Sequence, residues 1–377
     1  MPREHVLTRL AKYFNVVWVD PAVGWREHWL PGHRRPRRAI NPALHTSDGF
    51  VLYHPSRWLP EMYRPRALAR WLTRARLRQA QRRLDHRSVR RTILYLWRPE
   101  FDYGLDVVPH DLSCYHIDDE YTFSEIEQPL SASERQLITR VDQVIIHSPA
   151  LLEKKGHLNP HTTLVPNGVD FAAYAASAPE PSDLRDIPHP RIGYVGVIKV
   201  QLDFALIASL ATRHPEWSFV FVGPMHVEGE AVASLARQPN VHFLGGKPIG
   251  ELPGYTQHLD VCAMYYALND YTKFIYPLKL HEYLATGRPV IGTPIRSLQD
   301  FHHVISLARS TDEWSAAIQR ALDPAVTTPA AVAARRSIAQ EHDWDRLVAT
   351  IARTLCKRLG PDELERFDAL SRDSLAR

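Results

Sequence analysis

Cysteine is scarce in this chain. Only Cys114, Cys262 and Cys356 occur among 377 residues, far apart, with no CxxC pair and no metal-ligand spacing. A disulfide framework and a structural zinc site are therefore not expected, and the three read as free thiols of a reducing compartment. Long apolar runs are lacking too. No stretch reaches the roughly 18 apolar residues that cross a bilayer as a helix. The N-terminal segment MPREHVLTRLAKYF carries charges throughout and has no apolar h-region, so it does not read as a secretory signal. No internal repeat and no low-complexity tract interrupts the chain.

What is present is an ordinary globular composition, 45% hydrophobic and 23% charged. The length suits two domains better than one core. The net charge is only +4, but residues 64–91 hold eleven Arg and one Asp. Arg66, Arg70, Arg74 and Arg78 form one helical stripe, and Leu68, Trp71, Leu72 and Ala75 form another. Such a segment is either a solvated face or a dock for anionic lipid, with Trp58, Met62 and Trp71 as interfacial anchors. No recognised nucleic-acid motif accompanies the arginines, so nucleic acid is not expected as a partner.

Apolar runs and helical periods alternate along the chain. NVVWVDP, GFVLYHP, TILYLW, SCYHIDD, QVIIHS and TTLVPNGVD read as strands in the first half. Ser131 or Ser133 caps the helix before QVIIHS. The Ala/Pro/Ser-rich stretch ending in IPHP marks a linker over 171–190. The alternation then restarts with RIGYVGVI, SFVFVGP, NVHFLGG, DVCAMYY and RPVIGT. The expected architecture is α/β, with two doubly wound domains facing a cleft. The expected divisions are 1–170, the linker 171–190, 191–340, and helices over 341–377 that return to the first domain.

The segment PLKLHEYLATGRPVIGT, residues 277–293, carries the most chemistry. Pro277 suits the first helical position and Gly287 the C-cap. Lys279 and Glu282 then share a face of the first turns. A helix N-terminus has free N–H groups and partial positive charge, which suits a diphosphate. Lys279 adds a full charge, and the Glu282 carboxylate can accept from both hydroxyls of a ribose. Gly196 in YVGVIK would let backbone approach a phosphate, with Lys199 adding charge. Gly245, Gly246 and Lys247 end the next strand but one, beside the expected nucleobase. Asp118 and Asp119 follow the SCYHIDD strand, where the cleft should be. A carboxylate beside a like charge suits base work on an acceptor hydroxyl, Asp119 ahead of Asp118. His116, His147, His226 and His281 are scattered and read as packed or surface residues.

These motifs, taken in order, resemble bacterial glycosyltransferases of the GT-B fold, near the large family-4 group and its polysaccharide-biosynthesis relatives. The resemblance covers nearly the whole chain, from TTLVPNGVD through the 277–293 segment to SIAQEHDWDRLVATI. It implies a metal-independent transfer of a sugar from a nucleoside-diphosphate donor to a glycan or lipid-linked acceptor hydroxyl. It places the enzyme in the cytoplasm, peripheral to the inner membrane face. A nucleotide-sugar epimerase and a non-catalytic nucleotide-sugar-binding subunit are the alternative readings. Two departures stand out. The family places a first Glu eight positions before the residue matching Glu282, and here that position is Phe274. Substitutes near the sugar are expected among Asn269, Asp270, Thr272 and Lys273. The chain also opens directly in a helix where relatives have a strand, which leaves a sheet edge uncovered.

Overall fold

In the computed structural model, the described residues are 2–24, 48–62, 64–85, 90–121 and 124–375. The N-terminal half holds β1 (Val16–Val19), β2 (Phe50–Tyr53), β3 (Ile93–Leu96), β4 (Leu112–Ile117), β5 (Gln143–Ile146) and β6 (Thr162–Leu164). The C-terminal half holds β7 (Arg191–Val195), β8 (Ser218–Val222), β9 (Val241–Gly245), β10 (Val261–Met264), β11 (Val290–Gly292) and β12 (Ser306–Leu307). The strands expected from the apolar runs are all present, and β12 adds a short edge strand beyond them.

The central strands β4, β5, β7, β8 and β10 are buried at every position. Continuous Val, Ile and Phe runs, rather than alternation, are what a sheet covered on both faces requires. Every ladder between these strands is parallel. The four-stranded sheet runs β3-β4-β5-β6, and the six-stranded sheet runs β12-β11-β10-β7-β8-β9. β1 and β2 pair with each other and, among the described residues, share no ladder with β3. β3 therefore edges its sheet, where a longer sheet would have continued.

In the six-stranded sheet the chain moves outward from β7 to β9, then crosses back to β10 and moves the other way. The order reverses between β7 and β10, and a crevice opens at their carboxyl ends. One apolar cluster, with Trp217, Phe219, Phe221 and Trp314, covers one face of this sheet. A second, with Leu280, Tyr283 and Leu284, covers the other.

The 171–190 stretch is ordered into helical turns at Phe171–Ala175 and Ser182–Arg185. The Trp344–Leu359 helix packs against Val6, Leu7 and Leu10 of the N-terminal helix and against Leu112 and Ile145 of the four-stranded sheet. His5 stacks on Trp344 at 5.2 Å, and Arg9 and Lys12 each reach Asp345 at 2.8 Å. The two ends of the chain thus share one core, which ties the halves together.

Candidate functional site at the sheet crevice

The Leu278–Thr286 helix points its N-terminus into the crevice. Pro277 is the N-cap, with φ −74° and ψ 126°, one position before the first helical residue expected for it. Gly287 closes the helix at φ 79°. Arg335 donates to the Gly287 carbonyl at 2.8 Å and Arg336 to that of Thr286 at 3.3 Å, so cations cover the negative end. The Tyr283 hydroxyl accepts from the Val195 amide at 2.8 Å and fastens the helix to the end of β7.

That fastening brings Lys279 against Gly196. A Cβ at Gly196 would lie 2.2 Å from Lys279 Cε and 2.5 Å from Nζ. Gly196 has φ 142° and Gly223, after β8, has φ 150°. A Cβ at Gly223 would meet the Gly196 carbonyl oxygen at 2.1 Å. The Gly196 amide donates to Val222 and the Gly223 amide to Gly245. Three adjacent strand ends therefore finish in glycine, stacked into a bare backbone shelf. The Lys279 ammonium stands 4.9 Å from the Tyr194 ring centroid. Gly196, Lys279 and the helix N-terminus converge on one spot with the character of an anion site.

Glu282 lies one turn along the helix, partly buried. Burial raises its pKa, while Lys279 and a hydrogen bond from Tyr174 oppose the rise. Tyr174 comes from the Ala-rich stretch read as linker, and no pattern in that stretch singled it out. Lys199 has an exposed side chain but sits near Lys279. Desolvation and repulsion from Lys279 lower its pKa, and Asp119 pulls the other way.

The acidic pair separates into two roles. Asp118 receives both Arg3 nitrogens, Nε at 2.8 Å and Nη2 at 2.9 Å, and the Tyr121 hydroxyl at 2.6 Å. Burial alone would raise its pKa, but these partners outweigh it and hold the group low. Asp119 accepts from the Glu120 amide at 2.8 Å and the Tyr271 hydroxyl at 3.2 Å. Burial, with the Asp118 charge adding, lifts its pKa to about 6. Glu120, the next residue, turns inward to a buried cluster with Lys154, Lys155 and Glu134.

Other expected residues are engaged elsewhere. Lys247 pairs with Asp183 and lies over the Tyr255 ring. Gly245 and Gly246 stay at the strand end, with nothing within 4 Å of a Cβ at Gly245. Thr272 is buried and donates to the Ala267 carbonyl. Asp270 accepts from the Glu127 amide at 3.0 Å, and Lys273 pairs with the Glu127 carboxylate. Phe274 is buried in the core of the four-stranded sheet with Tyr115, Leu137 and Ile146. The loop that would replace the family's first Glu is thus built into the seam between the halves. His116, His147 and His281 are packed: His116 stacks on Trp97 at 4.1 Å and His281 on His342 at 3.9 Å. His226 is exposed.

The crevice lies within a recognisable segment. Residues 189–324 match the family model described as glycosyl transferases group 1. That segment, which carries Gly196, Lys279 and Glu282, is similar to the glycosyl transferases group 1 domain. The chain is also 35% identical, over 177 residues, to the putative teichuronic acid biosynthesis glycosyltransferase TuaH of Bacillus subtilis strain 168. That match covers 45% of this chain and spans 44% of the relative's length.

Solved structures match nearly end to end at low identity. Anabaena Alr3699/HepE, solved in complex with UDP and glucose, gives a TM-score of 0.64 at 17% identity, over 94% of this chain and 95% of that one. WaaG, a glycosyltransferase involved in lipopolysaccharide biosynthesis, gives 0.57 at 13% identity, over 93% of each chain. The α,α-trehalose 6-phosphate synthase of Burkholderia multivorans gives 0.62 at 13% identity, over 94% of this chain and 92% of that one. The fold is GT-B, with two Rossmann-like units.

Proposed function

We propose that this protein transfers a sugar from a nucleoside-diphosphate donor, with UDP as the carrier, to a hydroxyl of a cell-surface glycan or its lipid-linked precursor. The observation that carries the reading is the convergence of Gly196, Lys279 and Glu282 at the reversal point of a sheet within the segment similar to glycosyl transferases group 1. The diphosphate lies over the glycine shelf at the helix N-terminus, with Lys279 and Lys199 meeting its charge. These cations neutralise the departing diphosphate, so the reading needs no metal. Glu282 accepts the ribose hydroxyls, with Tyr174 bracing its carboxylate. Asp119 faces the donor site from the other half and receives the acceptor hydroxyl. Asp118 is committed to Arg3 and serves the fold beside it. Closure of the halves around both substrates keeps water from the donor.

The basic stretch fits a lipid-held acceptor. On the Arg66–Asp85 helix, Arg70, Arg74 and Arg78 are exposed, as is Arg57 nearby. Trp58 is 78% exposed and Trp71 60%. Leu72 is buried, and Arg76 turns inward to the Leu59 and Pro60 carbonyls. The exposed tryptophans beside arginines suit the headgroup layer of an anionic membrane. No helix among the described residues is long and apolar enough to cross one. The side chain of Arg66 and residues 86–89 lie outside the described residues. We place the enzyme on the cytoplasmic membrane face.

Calorimetric titration with UDP, GDP, ADP and dTDP, repeated on Glu282→Ala, tests the donor site. Binding of UDP, lost in the variant, is the expected result. Binding of none of the four by a folded sample would overturn the reading.

A further inference from the structure

The Asp119–Tyr271 hydrogen bond joins two residues 152 positions apart, one from each half of the fold. Asp119 follows β4 of the four-stranded sheet. Tyr271 stands on the loop between β10 and the Leu278–Thr286 helix, the loop that carries Phe274 where the family has its first Glu. The loop is held at many points. The Asn269 side-chain oxygen accepts from the amides of Tyr271 at 3.1 Å and Thr272 at 2.8 Å. Thr272 ties back to Ala267, and Asp270 and Lys273 engage Glu127. Phe274 anchors the far end in the other half's core. The polar side chains of this loop are consumed in building it, and what they present to the cleft is the Tyr271 hydroxyl.

We infer that Tyr271 is a positioning residue for Asp119. Its hydroxyl and the Glu120 amide both donate to Asp119 Oδ1, which fixes the orientation of the carboxylate. The inference rests on the acceptor role proposed for Asp119. Among the described residues, several charged and titratable groups surround Asp119. Asp118, on the same strand end, is held by Arg3 of the N-terminal helix and by Tyr121. Lys199 faces it from the turn after β7, and Tyr271 from the seam loop. The hydroxyl hydrogen bond favours the ionised carboxylate against burial and Asp118. Because the hydroxyl belongs to the donor-binding half, the carboxylate has its full set of partners only when the halves are together. A residue of the donor half therefore governs the acceptor-side acid.

The test is a carbon-13 carboxyl titration of protein labelled at aspartate, run on wild type, Tyr271→Phe and Asp119→Asn. The Asn variant identifies the Asp119 resonance by its loss. Wild-type Asp119 should titrate near pH 6, and Tyr271→Phe should raise its midpoint by about half a pH unit or more. An unchanged midpoint in a Tyr271→Phe protein of wild-type melting temperature overturns the inference, since a purely structural tyrosine would leave it unmoved. Titration with UDP runs alongside. A failure to bind UDP speaks against the donor reading alone, because the carboxyl titration needs no substrate.

Discussion

Lys279 lies across Gly196 so closely that a methyl group at position 196 would fall 2.2 Å from its Cε. The glycine gives the lysine its path to the crevice, and Tyr283 holds the two elements together through the Val195 amide. Gly196→Ala should therefore displace Lys279 and strain a backbone at φ 142°. UDP affinity should fall tenfold or more, about 1.4 kcal/mol, with Lys279→Ala matching it. Calorimetry read beside a melting curve checks this. Unchanged affinity in the alanine variant would show that the lysine does not meet the diphosphate.

Asp119 carries a stability cost with a defined sign. Its folded pKa is about 6, against about 3.9 for an ordinary aspartate. The unfolded chain therefore ionises first. The contribution of Asp119 to stability should fall as pH rises from about 4 through 6, since at this group the unfolded state binds fewer protons there. Asp119→Asn has no such loss. It should be more stable than wild type by roughly 2–3 kcal/mol at pH 8 and nearly equal to it at pH 4, while losing transfer. Urea unfolding at the two pH values measures the difference.

Lys155 is fully buried between Glu134, at 2.8 Å, and Glu120, at 3.3 Å. The Tyr115 hydroxyl also donates to Glu134. Lys155→Met removes the buried cation, strands the Glu134 carboxylate and leaves Glu120 to Lys154 alone. A loss of about 3–5 kcal/mol is expected in chemical unfolding. Adding Glu134→Gln should recover part of it. If the single variant unfolds like wild type, water reaches this cluster and the pairing is not what holds it.

Vesicle sedimentation tests the membrane surface. Wild type should sediment with vesicles containing phosphatidylglycerol and stay free of pure phosphatidylcholine, and added salt should release it. Trp58→Ala with Trp71→Ala should weaken binding without changing the salt response. Arg70→Gln, Arg74→Gln and Arg78→Gln together should flatten that response. Indifference to lipid charge would remove the membrane role.

Much of this architecture is visible in the sequence. A parallel sheet buried on both faces needs unbroken apolar runs, and the runs at 191–195, 218–222 and 261–264 show it without any structure. The helix proposed to hold the donor is legible as well. A proline before it and a glycine after it mark the two ends of the Leu278–Thr286 helix, and the i, i+3 spacing puts Lys279 and Glu282 on one face.

What the tertiary structure decided lies in pairs far apart in the chain. SCYHIDD offers two adjacent acids, of which the sequence ranks Asp119 ahead without showing what separates them. Arg3, 115 residues away, takes Asp118, and Asp119 is left beside the cleft. Residues 269–273 of the seam loop show four polar side chains around Tyr271, and polarity favours the four. Packing engages Asn269 and Thr272 within the loop and Asp270 and Lys273 with Glu127, and sets Tyr271 against Asp119. Tyr174 reaches Glu282 from a stretch whose composition says only linker. Local periodicity encodes which elements form, because each residue's backbone preference and burial are set by near neighbours. Which side chain stays free for chemistry depends on partners that only the folded chain brings within hydrogen-bond reach.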